Sequence, residues 1–189
     1  MTKDHRSAVP SPSPINPPAR RQEAIPMAST QAGSSCETAP GRYVYEYARP
    51  ALTVDIAVLC RFPEGDRLLL IRRAYPPYAG HRSLPGGFVN EGETPEAAAR
   101  READEETGLR LRTLSMVGVY GEPGRDPRGW TVSVAYTARV SPEQAEGAEA
   151  GDDAVRGDLL WCPLRALPPL AFDHARIVAD VLATEYRRV

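Results

Sequence analysis

The chain has 189 residues, a formal net charge of −2 and a pI near 6.0, the size of one ordinary domain with room for a tail. The near-neutral balance excludes a chain dedicated to nucleic acid, and no apolar run approaches the ~18 residues that a membrane span needs. Three cysteines (Cys36, Cys60, Cys162) with no CxxC pair exclude a disulfide scaffold and a Cys-rich zinc ribbon. With no secretory signal in the first 30 residues, they fit a cytoplasmic protein in a reducing compartment.

Residues 1–42 hold 7 of the 19 prolines and contain neither leucine nor an aromatic side chain. Such a stretch cannot bury enough apolar surface to offset the entropy of ordering it. It reads as a disordered tail, with polyproline II character around Pro10 to Pro18, and Met27 is an alternative start. From Tyr43 the composition changes, and residues 43–189 are expected to form one domain of mixed α/β class. Strands are expected at Leu52–Cys60 and Arg67–Ile71, joined by a turn at Pro63–Asp66, then at Leu84–Val89 around Gly86-Gly87. A helix is expected from Pro95 to Thr107, with Thr94 as N-cap, Pro95 at the first helical position and Gly108 as the stop. Strands follow at Leu114–Tyr120 and Trp130–Val140. In the second of these, Trp130, Val132, Val134, Tyr136, Ala138 and Val140 line one face, and Thr131, Ser133, Thr137 and Arg139, with Ala135 among them, mark the other. Glu143 to Asp153 reads as a flexible acidic loop. A strand at Leu159–Cys162 and a helix from about His174 to Arg187, with Asp173 as cap, close the chain.

Chemistry concentrates between Gly87 and Leu109. Seven acidic residues lie between Glu91 and Glu106 against Arg100 and Arg101, a local charge of −5. On a helix, Glu102, Glu105 and Glu106 stand at i, i+3 and i+4, so three carboxylates share one face. Such hard oxygen donors, with no His or Cys among them, suit Mg²⁺ or Mn²⁺ rather than zinc. Beside a Gly-Gly strand end they make a diphosphate site; the alternative is a solvated acidic helix face.

Gly87 and Glu93 are followed by Arg101, Glu102, Ala103, Glu105, Glu106, Gly108 and Leu109. This spacing resembles the box of the Nudix hydrolases, G-x5-E-x7-R-E-U-x-E-E-x-G-U with U apolar, although the U after Arg-Glu is usually larger than Ala103. The resemblance implies an α/β/α sandwich with a mixed sheet between helices. It implies hydrolysis of a nucleoside diphosphate linked to another moiety. Glu102, Glu105 and Glu106 would hold Mg²⁺, or Mn²⁺, together with the backbone carbonyl of Gly86. Glu93 and Arg101 would fix the loop–helix geometry and orient Glu102, with Gly87 and Gly108 as structural glycines. A general base in this family often comes from a loop outside the box, and Asp152 and Asp153 are the candidates here. A small nucleotide is the expected substrate, with neither nucleic acid nor membrane as partner, and a homodimer is expected by resemblance alone.

The stretches PALTVDIAVL, PPYAGHRSLPGGFV, EPGRDPRGWTVSVAY and PLAFDHARI, with Pro123 placed 14 positions past Leu109, resemble the ADP-ribose pyrophosphatase branch. The products would be AMP and ribose 5-phosphate. Arg82 stands where that branch usually has tryptophan before LPGG. Arg72, Arg73, Arg82, Arg125 and Arg128 are candidates to contact phosphate or ribose, with Arg73, Arg82 and Arg128 taken as substrate-binding. A tyrosine from 43–47 or 75–78 is a candidate to stack the base, and His174 reads as a first-turn helix residue rather than a catalyst. Two alternatives stand beside this reading. One is a house-cleaning hydrolase of nucleoside triphosphates, oxidised ones included. The other is a non-catalytic ADP-ribose sensor, for which the intact glutamates and the chain end at Val189 are unfavourable signs.

Overall fold

Long apolar runs set the centre of the sheet. In the computed structural model, which describes residues 46–151 and 154–186 (backbone only for 154–157 and 186), strands β1 (Ala51–Phe62) and β2 (Gly65–Arg73) form an antiparallel hairpin. The expected tail 1–42 lies outside the described residues. Strands β3 (Arg82–Ser83) and β4 (Gly86–Phe88) replace the single strand expected at 84–89. The break falls at Leu84-Pro85, because proline has no N–H for a ladder; instead its carbonyl accepts from Ile56 N at 2.9 Å. Strands β5 (Ser115–Tyr120), β6 (Thr131–Val140) and β7 (Ala154–Pro163) complete the sheet. The order is β3-β2-β1-β6-β5, with β4 also paired to β1 and β7 to β2. β1 and β6 run parallel and the other pairs antiparallel, so the sheet is mixed, as expected.

Helix α1 (Pro95–Thr107) packs on one face of the sheet and α3 (His174–Tyr186) on the other, giving the α/β/α sandwich. α1 starts where the Thr94 side chain accepts from Ala97 N, and ends at Gly108, whose φ of 68° only glycine adopts cheaply. Its buried apolar side is Ala98, Ala99 and Ala103, set against Val54 and Ile56. Three methyl-sized side chains let this helix lie close on the sheet, which accounts for Ala103 in place of a bulkier residue. α3 buries Ile177, Val178 and Val181 in the opposite core with Leu59, Leu68 and Leu70.

The polar face of β6 is covered over most of its length: Thr131, Ser133 and Ala135 are buried because β6 lies inside the sheet, while Arg139 near its end stays exposed. One expectation is corrected. The stretch read as a flexible loop contains a short helix, α2 (Pro142–Glu146), begun by a capping box between Ser141 and Gln144. Beyond it, Glu149 N and Gly151 N donate to Thr107 O and Glu106 O at 3.0 Å, tying the segment to the end of α1.

Ala103 is fully buried, so Ala103→Leu must push α1 off the sheet. The variant is expected to lose about 1–3 kcal/mol of stability in urea unfolding.

Candidate active site

Gly86 and Gly87 lie where β4 pairs with Val54 and Asp55 in the first half of β1, and α1 packs against them. A Cβ on Gly87 would fall 2.3 Å from Glu102 Oε1, and one on Gly86 would fall 2.1 Å from Val54 O. Only glycines allow the helix carboxylate and the neighbouring strand to come this close. Glu106 Oε2 accepts from Gly86 N at 2.7 Å. Glu102 and Glu106 are 9% and 6% exposed, and they line one open cavity of about 340 Å³.

Arg101 holds this acidic segment together. Its Nε and Nη2 donate to the two oxygens of Glu93 at 2.9 Å, a bidentate pair. Nη1 donates to Glu102 at 2.7 Å and to Glu105 at 2.9 Å, and Nη2 also donates to the Phe88 carbonyl. The Arg101 hydrogen bond beside Glu93 holds that carboxyl below its ordinary range. Glu105 is the exposed member of the three: its side chain is 58% exposed and turns to Arg101 rather than into the cavity. Helical rotation accounts for this, since position i+4 returns almost over i whereas i+3 falls short. Among the described residues no three His, Cys, Asp or Glu side chains converge as a cation site.

Behind the glycines stands a buried polar knot. Asp55 on β1, the register partner of Gly86, accepts from Ser133 Oγ at 2.6 Å and from Arg125 Nη2 at 3.2 Å. His174 Nδ1 accepts from Leu84 N at 2.9 Å, which places the imidazole proton on Nε2, 3.2 Å from Asp55 Oδ1. Arg125 is itself only 4% exposed and forks onto Asp173 at 2.7 and 2.9 Å. Burial pushes the Asp55 carboxyl up. His174, Ser133 and Arg125 outweigh it and bring the pKa down to about 2.

A third group borders the cavity. Asp126, buried, accepts from the backbone N, Nε and Nη2 of Arg128 at 2.7–3.1 Å. Burial raises this carboxyl, but the Arg128 bonds outweigh it and hold it below the ordinary range. Arg73 donates from Nε to Pro77 O at 2.8 Å.

A family model for the NUDIX domain matches residues 51–181. The chain belongs to the Nudix family. It is 41% identical over 136 residues to an ADP-ribose pyrophosphatase of Methanocaldococcus jannaschii, covering 72% of this chain and 75% of that protein. It is 33% identical to an ADPR-responsive transcriptional repressor of Acinetobacter baylyi, spanning 55% of that longer protein. Among solved structures it resembles the NUDIX domain of Shewanella oneidensis NrtR in complex with ADP ribose. The TM-score there is 0.64 at 30% identity, covering 73% of this chain and 90% of that one. No described helix is long and apolar enough to cross a membrane.

The Nudix box is thus assembled around Gly86-Gly87, with Glu93 and Arg101 bracing Glu102. Of the arginines taken as substrate-binding, Arg73 and Arg128 line the cavity. Arg82 is placed elsewhere: both its terminal nitrogens are taken by Asp158, by the backbone oxygen at 2.7 Å and by the carboxylate. Arg72 shares that carboxylate, at 3.2 Å. Arg125 is consumed by the buried knot. Among the described candidate tyrosines, Tyr75, 65% exposed, lines the cavity. Asp152 and Asp153 lie outside the described residues. Sequence reasoning did not assign Asp55, Asp126, Phe172 or Asp173 to the site, and it read His174 as a first-turn residue only. The available signals were a lone acid inside the apolar run of β1 and the AFDH stretch before α3.

The Asp55 knot predicts acid sensitivity. The folded pKa of about 2 lies below the usual 3.8, so the unfolded chain takes the proton first as pH falls. The contribution, on the order of 2 kcal/mol, is complete above about pH 5 and is lost as pH falls through about 2. Urea unfolding across this range should show the loss, and Asp55→Asn should flatten it.

Proposed function

We propose that this Nudix protein is a divalent-metal-dependent hydrolase of nucleoside diphosphate derivatives, with ADP-ribose as the preferred substrate and AMP plus ribose 5-phosphate as products. The observation that carries the reading is the pair of buried carboxylates, Glu102 and Glu106, pressed against Gly86-Gly87 at the edge of a cavity that arginines also line. The 41% identity to the Methanocaldococcus jannaschii pyrophosphatase and the likeness to a domain seen with ADP ribose support the substrate.

The donor set fits Mg²⁺ or Mn²⁺. Two carboxylates and the Gly86 carbonyl offer only hard oxygens, and the glycine cradle leaves them no bulkier neighbour. Glu102, Glu106 and Gly86 would hold the cation, with Glu105 at the rim. Once bound, it would neutralise phosphate oxygens and make an attacking water more acidic. This chain's own residues do the rest. Arg101 keeps Glu102 oriented, Asp55 and His174 fix the cavity floor, and Arg73 and Arg128 bind the diphosphate. Asp152 or Asp153 removes the proton from water. The reading includes a cytoplasmic homodimer, for which sedimentation should give twice the 20.6 kDa chain mass.

Incubation with ADP-ribose and Mg²⁺ should release AMP, and chelator should abolish it. Release of pyrophosphate from nucleoside triphosphates instead would favour the house-cleaning alternative; ADP-ribose binding without turnover would favour a sensor. Glu102→Gln and Glu106→Gln should each lower kcat on the order of 100-fold or more, since several kcal/mol of charge stabilisation is at stake. Asp152→Asn or Asp153→Asn should lower kcat at neutral pH with KM little changed. Near-normal turnover in both would move the base elsewhere.

A further inference from the structure

Among the described residues, only two non-glycine residues have a left-handed backbone, Tyr78 at φ 63° and Phe172 at φ 53°. They lie on different loops, one after β2 and one before α3, yet their rings meet edge-on with centroids 4.9 Å apart. Such strain persists only where the surroundings over-determine it, and it gathers at functional sites. Here it sets one ring beside two cations. The Arg73 guanidinium lies 4.8 Å from the Phe172 centroid and that of Arg128 lies 5.6 Å from it. Arg128 also lies 5.1 Å from the ring of Phe88, the residue after Gly87. Phe88, Arg128, Phe172 and Arg73 therefore alternate ring and guanidinium along the cavity that Glu102 and Glu106 also line.

Two cations this near one another repel. The shared ring and the buried Asp126 offset that repulsion. Asp126 takes Nε and Nη2 of Arg128, which leaves Nη1 for a ligand. Guanidiniums packed by their faces present their N–H edges, the geometry that phosphate oxygens accept. The cavity thus carries carboxylates for a cation beside a guanidinium pair for an anion.

We propose that Phe172, locked by Tyr78, is a positioning residue for substrate. It holds Arg73 and Arg128 so that they grip the phosphate of the diphosphate that the acidic residues do not engage. This rests on the hydrolase reading above. Phe172→Leu keeps an apolar side chain and removes the ring.

The test measures the Kd of α,β-methylene ADP-ribose by calorimetry with Mg²⁺, KM and kcat with ADP-ribose, Mn²⁺ binding by electron paramagnetic resonance, and Tm. Phe172→Leu should weaken the analogue and raise KM about 10-fold. Its kcat should stay within about twofold, with Mn²⁺ affinity unchanged. Phe172→Tyr should restore affinity, and Phe172→Leu combined with Arg128→Gln should lose less than the sum of the two. Unchanged analogue affinity in Phe172→Leu, or strict additivity with Arg128→Gln, would overturn the proposal. If Phe172→Leu fails to fold, Arg128→Gln alone must weaken the analogue, and normal affinity there would equally overturn it. A wild-type protein that binds the analogue yet hydrolyses nothing would sink the hydrolase reading and leave the clamp to be judged on affinities alone.

Discussion

A carboxylate buried in the middle of a sheet has to be neutralised where it stands, and Asp55 draws its partners from three separate parts of the chain. Ser133 comes from the neighbouring strand β6, Arg125 from the loop between β5 and β6, and His174 from the first turn of α3. Arg125 then recruits Asp173, and His174 recruits the backbone of Leu84 just before the Gly-Gly pair. One buried charge therefore pins a loop and a helix terminus to β1 beside Gly86. Networks of this type add little net stability compared with apolar packing, but losing one member is costly. Their effect is to leave the cavity wall a single arrangement.

Arg101 plays the corresponding part in front of the glycines. A segment with a local charge of −5 resists compaction unless a cation sits inside it. One guanidinium joins Glu93, Glu102, Glu105 and the Phe88 carbonyl, so the loop, the helix and the end of β4 meet at a single side chain. A Cβ on Gly87 would collide with the Glu102 side chain, and one on Gly86 with the backbone of Val54 and Asp55, so the glycines let both clusters close in. Within the cavity, Glu102 is thus held by Arg101, and Arg128 by Asp126.

Legibility from sequence followed the range of the interactions. Helix α1 was readable to the residue because Thr94, Pro95 and Gly108 act within one turn of its ends. α2 was missed although Ser141 and Gln144 carry a local capping box, because the acidic composition around it dominated the reading. Within the box, spacing placed Glu102, Glu105 and Glu106 on one side of the helix. The structure separates them: Glu102 and Glu106 face the cavity, and Glu105 leaves it for Arg101. The arginines show the limit most clearly. Arg73, Arg82, Arg125 and Arg128 look alike in sequence. The fates of Arg82, Arg125 and Arg128 depend on Asp158, Asp55, Asp173 and Asp126, most of them distant along the chain, and that of Arg73 on Pro77 O and the Phe172 ring.

The sequence by itself determined the family, the mixed α/β class, the box helix and the carboxylates that the helix carries. Those properties reside in local capping, in hydrophobic period and in residue spacing, all of which act over a few turns of chain. Tertiary structure alone decided that Asp55 and His174 share one buried knot and that Arg82 braces β7 while Arg128 faces the cavity. It also set Phe172 beside two guanidiniums. Each of those outcomes joins residues from elements far apart in sequence, where pairing is fixed by sheet register and burial rather than by anything adjacent residues encode.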